Sequence, residues 1–275
     1  GEIDYGALAA LIERQIEAGV DALLVAGTTG ESATLTEGEH EALVAFSKER
    51  IAGRVPLIAG CGSNSTRHAC RLGENASRAG ADALLAVTPY YNKASALGLL
   101  LHFREIVKAT DRPLILYNVP SRTGCNITLP VYRELAKHER IVAVKEASGN
   151  REQIEKILAG APEGFQVLSG NDDDTLWMMQ QGGAGIISVA SNVAPKHMAD
   201  FIGAIREGDM TKAEALNKEL TPLFNNCFVE SNPIPAKAAM GAMGLIENEL
   251  RLPLVPSQQS TYDLMVATIR DLGLL

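Results

Sequence analysis

Short apolar runs recur along most of this chain, and they constrain the fold more than any other feature. Seven such runs, rich in aliphatic and β-branched residues, lie at 20–27, 55–62, 81–90, 113–120, 141–148, 165–170 and 184–191. Each is almost continuously apolar, which is typical of strands buried on both faces of a parallel sheet. Amphipathic stretches separate the runs, so the pattern predicts a chain that alternates strands and helices.

Helix start signals support this alternation. Thr36 and Glu39 form a capping-box pattern. In this motif the side chain of each residue accepts the backbone N–H of the other at the start of the helix. Ser95, Thr128 and Asn150 each precede a further amphipathic stretch as N-cap candidates. The local signals therefore predict helices between the strands.

Two architectures produce such a pattern, an open doubly wound sheet and a closed (β/α)8 TIM barrel. No Gly-x-Gly-x-x-Gly motif follows the first run, which favours the barrel. A barrel has eight strands and the chain opens on a helical stretch, so we expect its first strand to be missing from this chain. Strand-like runs stop after residue 192, which predicts a barrel over 1–195 and a final barrel helix with a C-terminal helical extension over 196–275.

Composition excludes several functions. The net charge of −8 over 275 residues argues against nucleic acid or an anionic membrane as a partner. No apolar run approaches the ~20 residues of a transmembrane helix. The four cysteines lack zinc-type pairing, which favours reduced thiols and a cytoplasmic protein. The strand ends carry no histidine-rich set, so we expect no catalytic metal.

Lys145 is the only lysine within a strand run, "IVAVKEAS". In a parallel barrel the active site lies at the carboxyl ends of the strands, where this lysine stands. It could pair with a buried acid for structure, or burial could lower its pKa and make it an amine nucleophile that forms a Schiff base. Glu146 should point to the other side of the sheet, so it is a poor salt partner and the nucleophile is favoured.

Two motifs at neighbouring strand ends suit such a lysine. "GTTGES" (27–32) is either a common strand-to-helix turn or a cradle of backbone N–H groups for the carboxylate of a 2-oxo acid. "YNVPSRTG" (117–124) reads as a loop, in which Tyr117 could shuttle protons and Arg122 could bind a second carboxylate. A core tyrosine and a surface charge are the alternatives for these two residues.

A further polar run follows the sixth strand, "GNDDD" at 170–174. Asn171 with Asp172, Asp173 and Asp174 could suggest a cation site. A helix N-cap with acidic residues in its first turn explains the same residues more simply.

Together the motifs GTTGESATLT, TPYYNK, YNVPSRTG, VKEASGN and FVESNPIPAK resemble the dihydrodipicolinate synthase family of class I aldolases, which is related to N-acetylneuraminate lyase. The resemblance runs from residue 1 to the final GLL. It implies a TIM barrel whose first strand would lie upstream of Gly1. It also implies condensation of pyruvate with L-aspartate 4-semialdehyde to 4-hydroxy-tetrahydrodipicolinate, a step of diaminopimelate and lysine biosynthesis, with no metal or organic cofactor.

The resemblance also implies roles for individual residues. Lys145 would form the Schiff base, and the other catalytic residues would be Tyr117, Thr28 and Tyr91. The substrate-binding residues would be Thr29, Arg122, Gly170 and Ile187. The residue matching Tyr91 reaches in from a neighbouring subunit in the family, which implies at least a dimer and a homotetramer built as a dimer of dimers.

Lysine-inhibited members of the family have an allosteric site, and the matching positions are Ser32, Ala33, His40, Asn64, His68 and Tyr90. His68 stands where those members carry a glutamate for the ligand's amino group, and Glu37 stands where a histidine is common. Because an anion that pairs with an ammonium group is lost, we expect weak or absent inhibition by lysine.

Other functions remain open at this point. A related pyruvate-dependent aldolase, such as N-acetylneuraminate lyase or a 2-keto-3-deoxy sugar acid aldolase, would use the same lysine and tyrosine. Arg122 favours a short acidic aldehyde over a polyol as the second substrate. A phosphate-binding barrel isomerase is disfavoured because the last strand run lacks a glycine-rich phosphate loop, and a barrel used only for binding is disfavoured by the complete residue set.

Overall fold

The computed structural model describes residues 1–275 and shows an α/β fold built on one parallel sheet. Its seven strands are β1 (Leu23–Val25), β2 (Leu57–Gly60), β3 (Ala83–Val87), β4 (Leu114–Asn118), β5 (Ile141–Glu146), β6 (Gln166–Ser169) and β7 (Gly185–Ile186). They pair in chain order, each with its neighbours in sequence. The seven predicted strands are thus confirmed, although each is shorter than its apolar run.

Twelve helices surround and follow the strands. They are α1 (Tyr5–Glu17), α2 (Glu37–Ile51), α3 (Thr66–Arg78), α4 (Ala96–Lys108), α5 (Pro120–Thr123), α6 (Leu129–Leu135), α7 (Arg151–Gly160), α8 (Thr175–Gln180), α9 (Pro195–Glu207), α10 (Met210–Asn226), α11 (Ile234–Ala242) and α12 (Gln259–Asp271). No helix has the length and the apolar character that crossing a membrane requires.

The helix start signals act largely as predicted. Thr36 and Glu39 complete the capping box of α2. The Ser95 and Asn150 side chains accept backbone N–H groups of α4 and α7. Thr128 occupies the N-cap position of α6 without such a bond, and Pro130 follows in the first turn, where a missing backbone N–H leaves no acceptor unpaired.

The sheet curls around a common interior. Its two edge strands, β1 and β7, each pair on one side only, and residues of both line the same cavity of about 1510 Å³. The side chains on the inner face form a small apolar cluster, Leu85, Ile115, Tyr117, Val119, Ala143 and Ala147. Residues of six of the seven strands, all but β3, line this cavity.

Helix α1 connects the two edges of the sheet. The Arg14 guanidinium donates to the backbone carbonyls of Asn192 and Val193 at 2.9 and 2.7 Å, and the Gln15 amide donates to that of Ser191 at 2.8 Å. These carbonyls belong to the loop that follows β7. Helix α1 therefore ties the start of the chain to the far end of the sheet.

Two large hydrophobic cores stabilise the fold. One lies between the sheet and its surrounding helices, and the other joins the loop after β7 to α9–α12. One local expectation was wrong, since the segment predicted as a loop at 117–124 contains the short helix α5. Val119 precedes a proline and leads into this turn, and Gly124 ends it with a positive φ of 66°, a conformation that glycine adopts without strain.

Candidate active site

Lys145 lies near the carboxyl end of β5, with Tyr117 of β4 and Leu168 of β6 as its register partners. Its side chain is buried, and its Nζ lies 4.5 Å from the centroid of the Tyr117 ring. Glu146 points to the outer face, where it accepts the hydroxyl of Tyr132 at 2.6 Å. The lysine therefore faces the interior without its neighbour as a salt partner, as the alternation along the strand predicts.

The surroundings of Lys145 weaken its positive charge. Burial is the main cause that lowers the pKa of this lysine; the Asp172 carboxylate opposes it and Arg122 adds a smaller lowering, and the resulting pKa is about 8. A lysine with such a pKa has a substantial fraction of neutral amine near neutral pH. The interior of the sheet therefore prepares Lys145 to act as a nucleophile.

Tyr117 lies beside the lysine, on the neighbouring strand β4. Burial raises the pKa of its phenol, while Arg122 and a hydrogen bond with Thr28 partly oppose the rise. The phenol therefore stays protonated at neutral pH and is able to donate a proton. Thr28 lines the same cavity as Tyr117 and Lys145.

The loop after β1 is connected to the C-terminal part of the chain through Asn232. The Asn232 side chain is buried, and its Nδ2 donates to Thr29 Oγ1 at 2.9 Å. The Arg122 Nη2 donates to the backbone carbonyl of Asn232 at 3.2 Å, so the guanidinium is less free than the sequence suggested. Asn232 had no assigned role in the sequence; the only signal was its place in the motif FVESNPIPAK.

Gly170 and Ile187, expected from the resemblance, both line the cavity that holds Lys145. Gly170 packs directly on the lysine, since a Cβ there would lie 3.2 Å from Lys145 Cε and 2.6 Å from Ala147 Cβ. Both distances are shorter than ordinary carbon contacts. Only glycine fits between β5 and β6 at this point.

Tyr91 does not reach the cavity of its own chain. It lies in the segment between β3 and α4, its side chain is 88% exposed, and its backbone has a positive φ of 74°. Non-glycine residues rarely adopt that conformation unless the surrounding structure imposes it. The ring is therefore presented outward, away from Lys145 and Tyr117.

Comparisons with known proteins agree with this arrangement. The model of the dihydrodipicolinate synthetase family matches residues 1–272. The chain belongs to the dihydrodipicolinate synthetase family. A relative from Thermotoga neapolitana named 4-hydroxy-tetrahydrodipicolinate synthase is 44% identical over all of this chain and 95% of its own length.

Solved structures of family members match the fold closely. Dihydrodipicolinate synthase from Thermotoga maritima is 43% identical, covers all of this chain and 95% of its own, and superimposes with a TM-score of 0.98. A chloride-inhibited member from Acinetobacter baumannii, solved with pyruvate, is 38% identical over 99% of this chain and 94% of its own, with a TM-score of 0.97. The family's fold thus extends over the whole chain.

The positions expected to correspond to a lysine site are spread over the loops after β1, β2 and β3 and the helices α2 and α3. Ser32 and Ala33 form a 3-10 turn, and Asn64 and Tyr90 lie in the loops after β2 and β3. His40 is buried, with Nε2 2.7 Å from the carbonyl oxygen of Gly60.

Glu37 and His68 face each other at this position. His68 Nε2 lies 3.6 Å from Glu37 Oε1, and Arg71 Nη1 lies 3.3 Å from Glu37 Oε2. The carboxylate at position 37 is therefore already shared between a histidine and an arginine.

The acidic run after β6 differs from the expectation. Asp174 occupies the N-cap position of α8 but makes no capping hydrogen bond. Asp172 is buried and turns away from α8 to the loop after β7, where it accepts the backbone N–H groups of Val189 and Ala190, each at 3.1 Å. The capping interpretation was wrong for Asp172, because a contact across strands decides its orientation.

The structure contains no group of three or more His, Cys, Asp or Glu side chains placed to hold a metal ion.

Proposed function

We propose that this chain condenses pyruvate with L-aspartate 4-semialdehyde to 4-hydroxy-tetrahydrodipicolinate through a Schiff base on Lys145. The observation that carries the proposal is a buried lysine whose pKa falls to about 8, beside Tyr117 in a cavity at the strand ends. The names of relatives across the family support the reaction, and the member from A. baumannii supports pyruvate as a substrate.

The chemistry follows from the position of the amine. The neutral Lys145 Nζ attacks the keto carbon of pyruvate, and the carbinolamine loses its hydroxyl as water to give an iminium. The iminium draws electrons from the methyl group, which loses a proton and becomes the nucleophilic carbon of an enamine. That carbon attacks the aldehyde, the amino group of the adduct displaces Lys145, and the ring closes. Tyr117 delivers and removes protons at the oxygen and nitrogen bound to the attacked carbon, with Thr28 as its hydrogen-bond partner.

The two carboxylates of the substrates have separate binding sites in this proposal. Thr28 and Thr29 hold the pyruvate carboxylate with the backbone N–H groups of their loop, while Gly170 and Ile187 shape the pocket around the keto group. Arg122 binds the carboxylate of the aldehyde at the entrance. An acid-binding guanidinium at this point favours aspartate semialdehyde over the polyol aldehydes of the related aldolases.

We propose that the active form is an oligomer in which Tyr91 completes the proton relay of a neighbouring subunit, within a homotetramer arranged as a dimer of dimers. The 88% exposure of Tyr91, together with the exposed apolar side chains of Leu97 and Leu101 on α4, supports this. A mixture of Tyr91→Ala and Lys145→Ala chains should regain activity that neither variant has alone. No regain in a mixture that sedimentation shows to be oligomeric contradicts the shared relay.

We also propose that the complete fold is a (β/α)8 barrel with an eighth strand between β1 and β7, and that the helices after α9 form a C-terminal extension. Two observations support this: β1 and β7 each have one edge without a strand partner, and residues of both strands line the same cavity. An experimental structure of the active protein tests it, since direct pairing of β1 with β7 would exclude an intervening strand.

Inhibition by lysine is proposed to be weak or absent. A ligand ammonium group would meet His68 rather than a carboxylate, and Glu37 is engaged by His68 and Arg71. Losing one charge-assisted hydrogen bond weakens binding by about 1–3 kcal/mol. Steady-state assays with added lysine test this, and inhibition at micromolar concentrations contradicts it.

Borohydride reduction in the presence of pyruvate, followed by peptide mass analysis, tests the central proposal. A reduced pyruvyl adduct is expected on Lys145 alone, with none in Lys145→Met. Labelling at another lysine, or none, overturns the Schiff-base assignment. Turnover of aspartate semialdehyde but not of N-acetylmannosamine then separates the proposed reaction from that of N-acetylneuraminate lyase.

A further inference from the structure

Asp172 is a buried acid that takes no part in the steps proposed above. It lies two residues beyond Gly170, whose backbone packs on the Lys145 side chain, and it is 2% exposed. Its Oδ1 accepts the hydroxyl of Ser188, and its Oδ2 accepts the backbone N–H groups of Val189 and Ala190. Three donors aimed at one carboxylate stabilise its ionised form in the interior.

These hydrogen bonds join two walls of the active site. Asp172 and Gly170 belong to the loop after β6, whereas Ser188 directly follows Ile187 in the loop after β7. The Ser188 Oγ also accepts the backbone N–H of Ser191 at 2.9 Å. The Asp172 carboxylate thereby fixes the loop after β7 relative to the lysine strand.

The same carboxylate acts electrostatically on the lysine. Three charged or titratable groups act on Lys145 or lie beside it: Tyr117 from β4, Arg122 from α5 and Asp172 from the loop after β6. Asp172 is the anion of the three. The Asp172 carboxylate also acts electrostatically on the thiol of Cys227, the residue that follows α10. Burial raises the pKa of Asp172, while the hydrogen bonds and the lysine oppose that rise.

We propose that Asp172 is a positioning residue that holds the loop after β7 and stabilises the positive iminium on Lys145 with its buried negative charge. This rests on the proposed Schiff-base function. Formation of the iminium converts a partly neutral amine into a permanent cation, and the carbinolamine hydroxyl leaves as water. A cation in a water-poor interior needs a fixed opposite charge, and Asp172 supplies it without contacting the substrate.

The variant Asp172→Asn removes the charge at nearly constant shape, and Asp173→Asn removes a charge from the adjacent exposed position as the matched control. The rate of borohydride trapping by pyruvate is measured against pH for both variants and for the wild type. In Asp172→Asn we expect the pH midpoint of the trapping rate, which reports the pKa of Lys145, to fall by about one pH unit. We also expect the dissociation constant of pyruvate to rise about tenfold. Asp173→Asn should follow the wild-type curve.

The direction of the shift separates the proposal from a purely structural role. If Asp172 only held the loop, its loss would admit water to Lys145 and move the midpoint upward, towards that of an exposed lysine. An upward or absent shift in folded Asp172→Asn therefore overturns the inference. Absence of trapping in the wild type would instead overturn the proposed function itself.

A second variant keeps the test valid if Asp172→Asn does not fold. Ser188→Ala retains the carboxylate but removes a hydrogen bond that lowers its pKa, so Asp172 should take up a proton at higher pH. The pH below which pyruvate binding weakens should then rise by about half a pH unit or more. A Ser188→Ala profile that superimposes on the wild type overturns the inference.

Discussion

Replacing the proposed nucleophile should stabilise the protein. Burial lowers the pKa of Lys145 to about 8 from the value of 10.5 that an exposed lysine has. Below pH 8 the folded protein holds a buried ammonium group that the unfolded chain would leave in water. The folded state binds fewer protons than the unfolded state between these two pKa values, so its stability rises as the pH rises between them. Lys145→Met removes this penalty while keeping much of the side-chain volume.

The size of the effect follows from the two pKa values. The interval from 10.5 to about 8 corresponds to about 3 kcal/mol, at about 1.4 kcal/mol per pH unit. The penalty is fully present below about pH 8 and disappears as the pH approaches 10.5. At pH 7 the free energy of unfolding of Lys145→Met should therefore exceed that of the wild type by about 3 kcal/mol.

Urea unfolding at pH 7 and at pH 10.5 measures this difference, provided that refolding is shown to be complete. The exposed Lys218 of α10, replaced by Met, is the matched control and should change stability little at either pH. Lys145→Met should gain stability at pH 7 and lose that gain at pH 10.5. A variant that is destabilised at pH 7, or whose gain is the same at both pH values, refutes the reasoning.

Three further substitutions test the site. Gly170→Ala should destabilise the fold by about 1–3 kcal/mol and abolish trapping on Lys145, since its Cβ would press on the lysine; unchanged trapping kinetics would contradict the packing. Asn232→Ala should raise the KM for pyruvate about tenfold with a smaller change in kcat, because Thr29 loses its donor; an unchanged KM would show that this contact does not support binding. Tyr117→Phe should lower kcat at least about a hundredfold while the pyruvate adduct still forms; near-normal steady-state turnover would remove Tyr117 from the proton relay.

Features that depend on local sequence were predictable. The strands follow from continuous apolar runs, and the inward direction of Lys145 follows from alternation along β5. The capping box of Thr36 and Glu39 formed as expected, because all its partners lie within one helical turn. The gathering of strand-end residues around one cavity follows from the parallel arrangement itself.

Features that depend on contacts between distant segments were not predictable. Asn232 meets Thr29 across 203 positions of the chain, and no periodicity encodes such a pair. Asp172 precedes a helix and has the composition of a cap, yet donors from the next strand end determine its orientation. A polar residue near a helix start has several possible partners, and only the tertiary structure selects among them.

The attachment of helix α1 to the loop after β7 has a consequence for how the protein is made. Arg14 and Gln15 bond to carbonyls that lie 176 to 179 positions further along the chain. During synthesis, α1 is therefore formed long before its partners leave the ribosome. Closure of the molecule is a late event of high contact order. Until then the donors of α1 have no partners on the nascent chain, which makes that interval the period of greatest risk of misassembly.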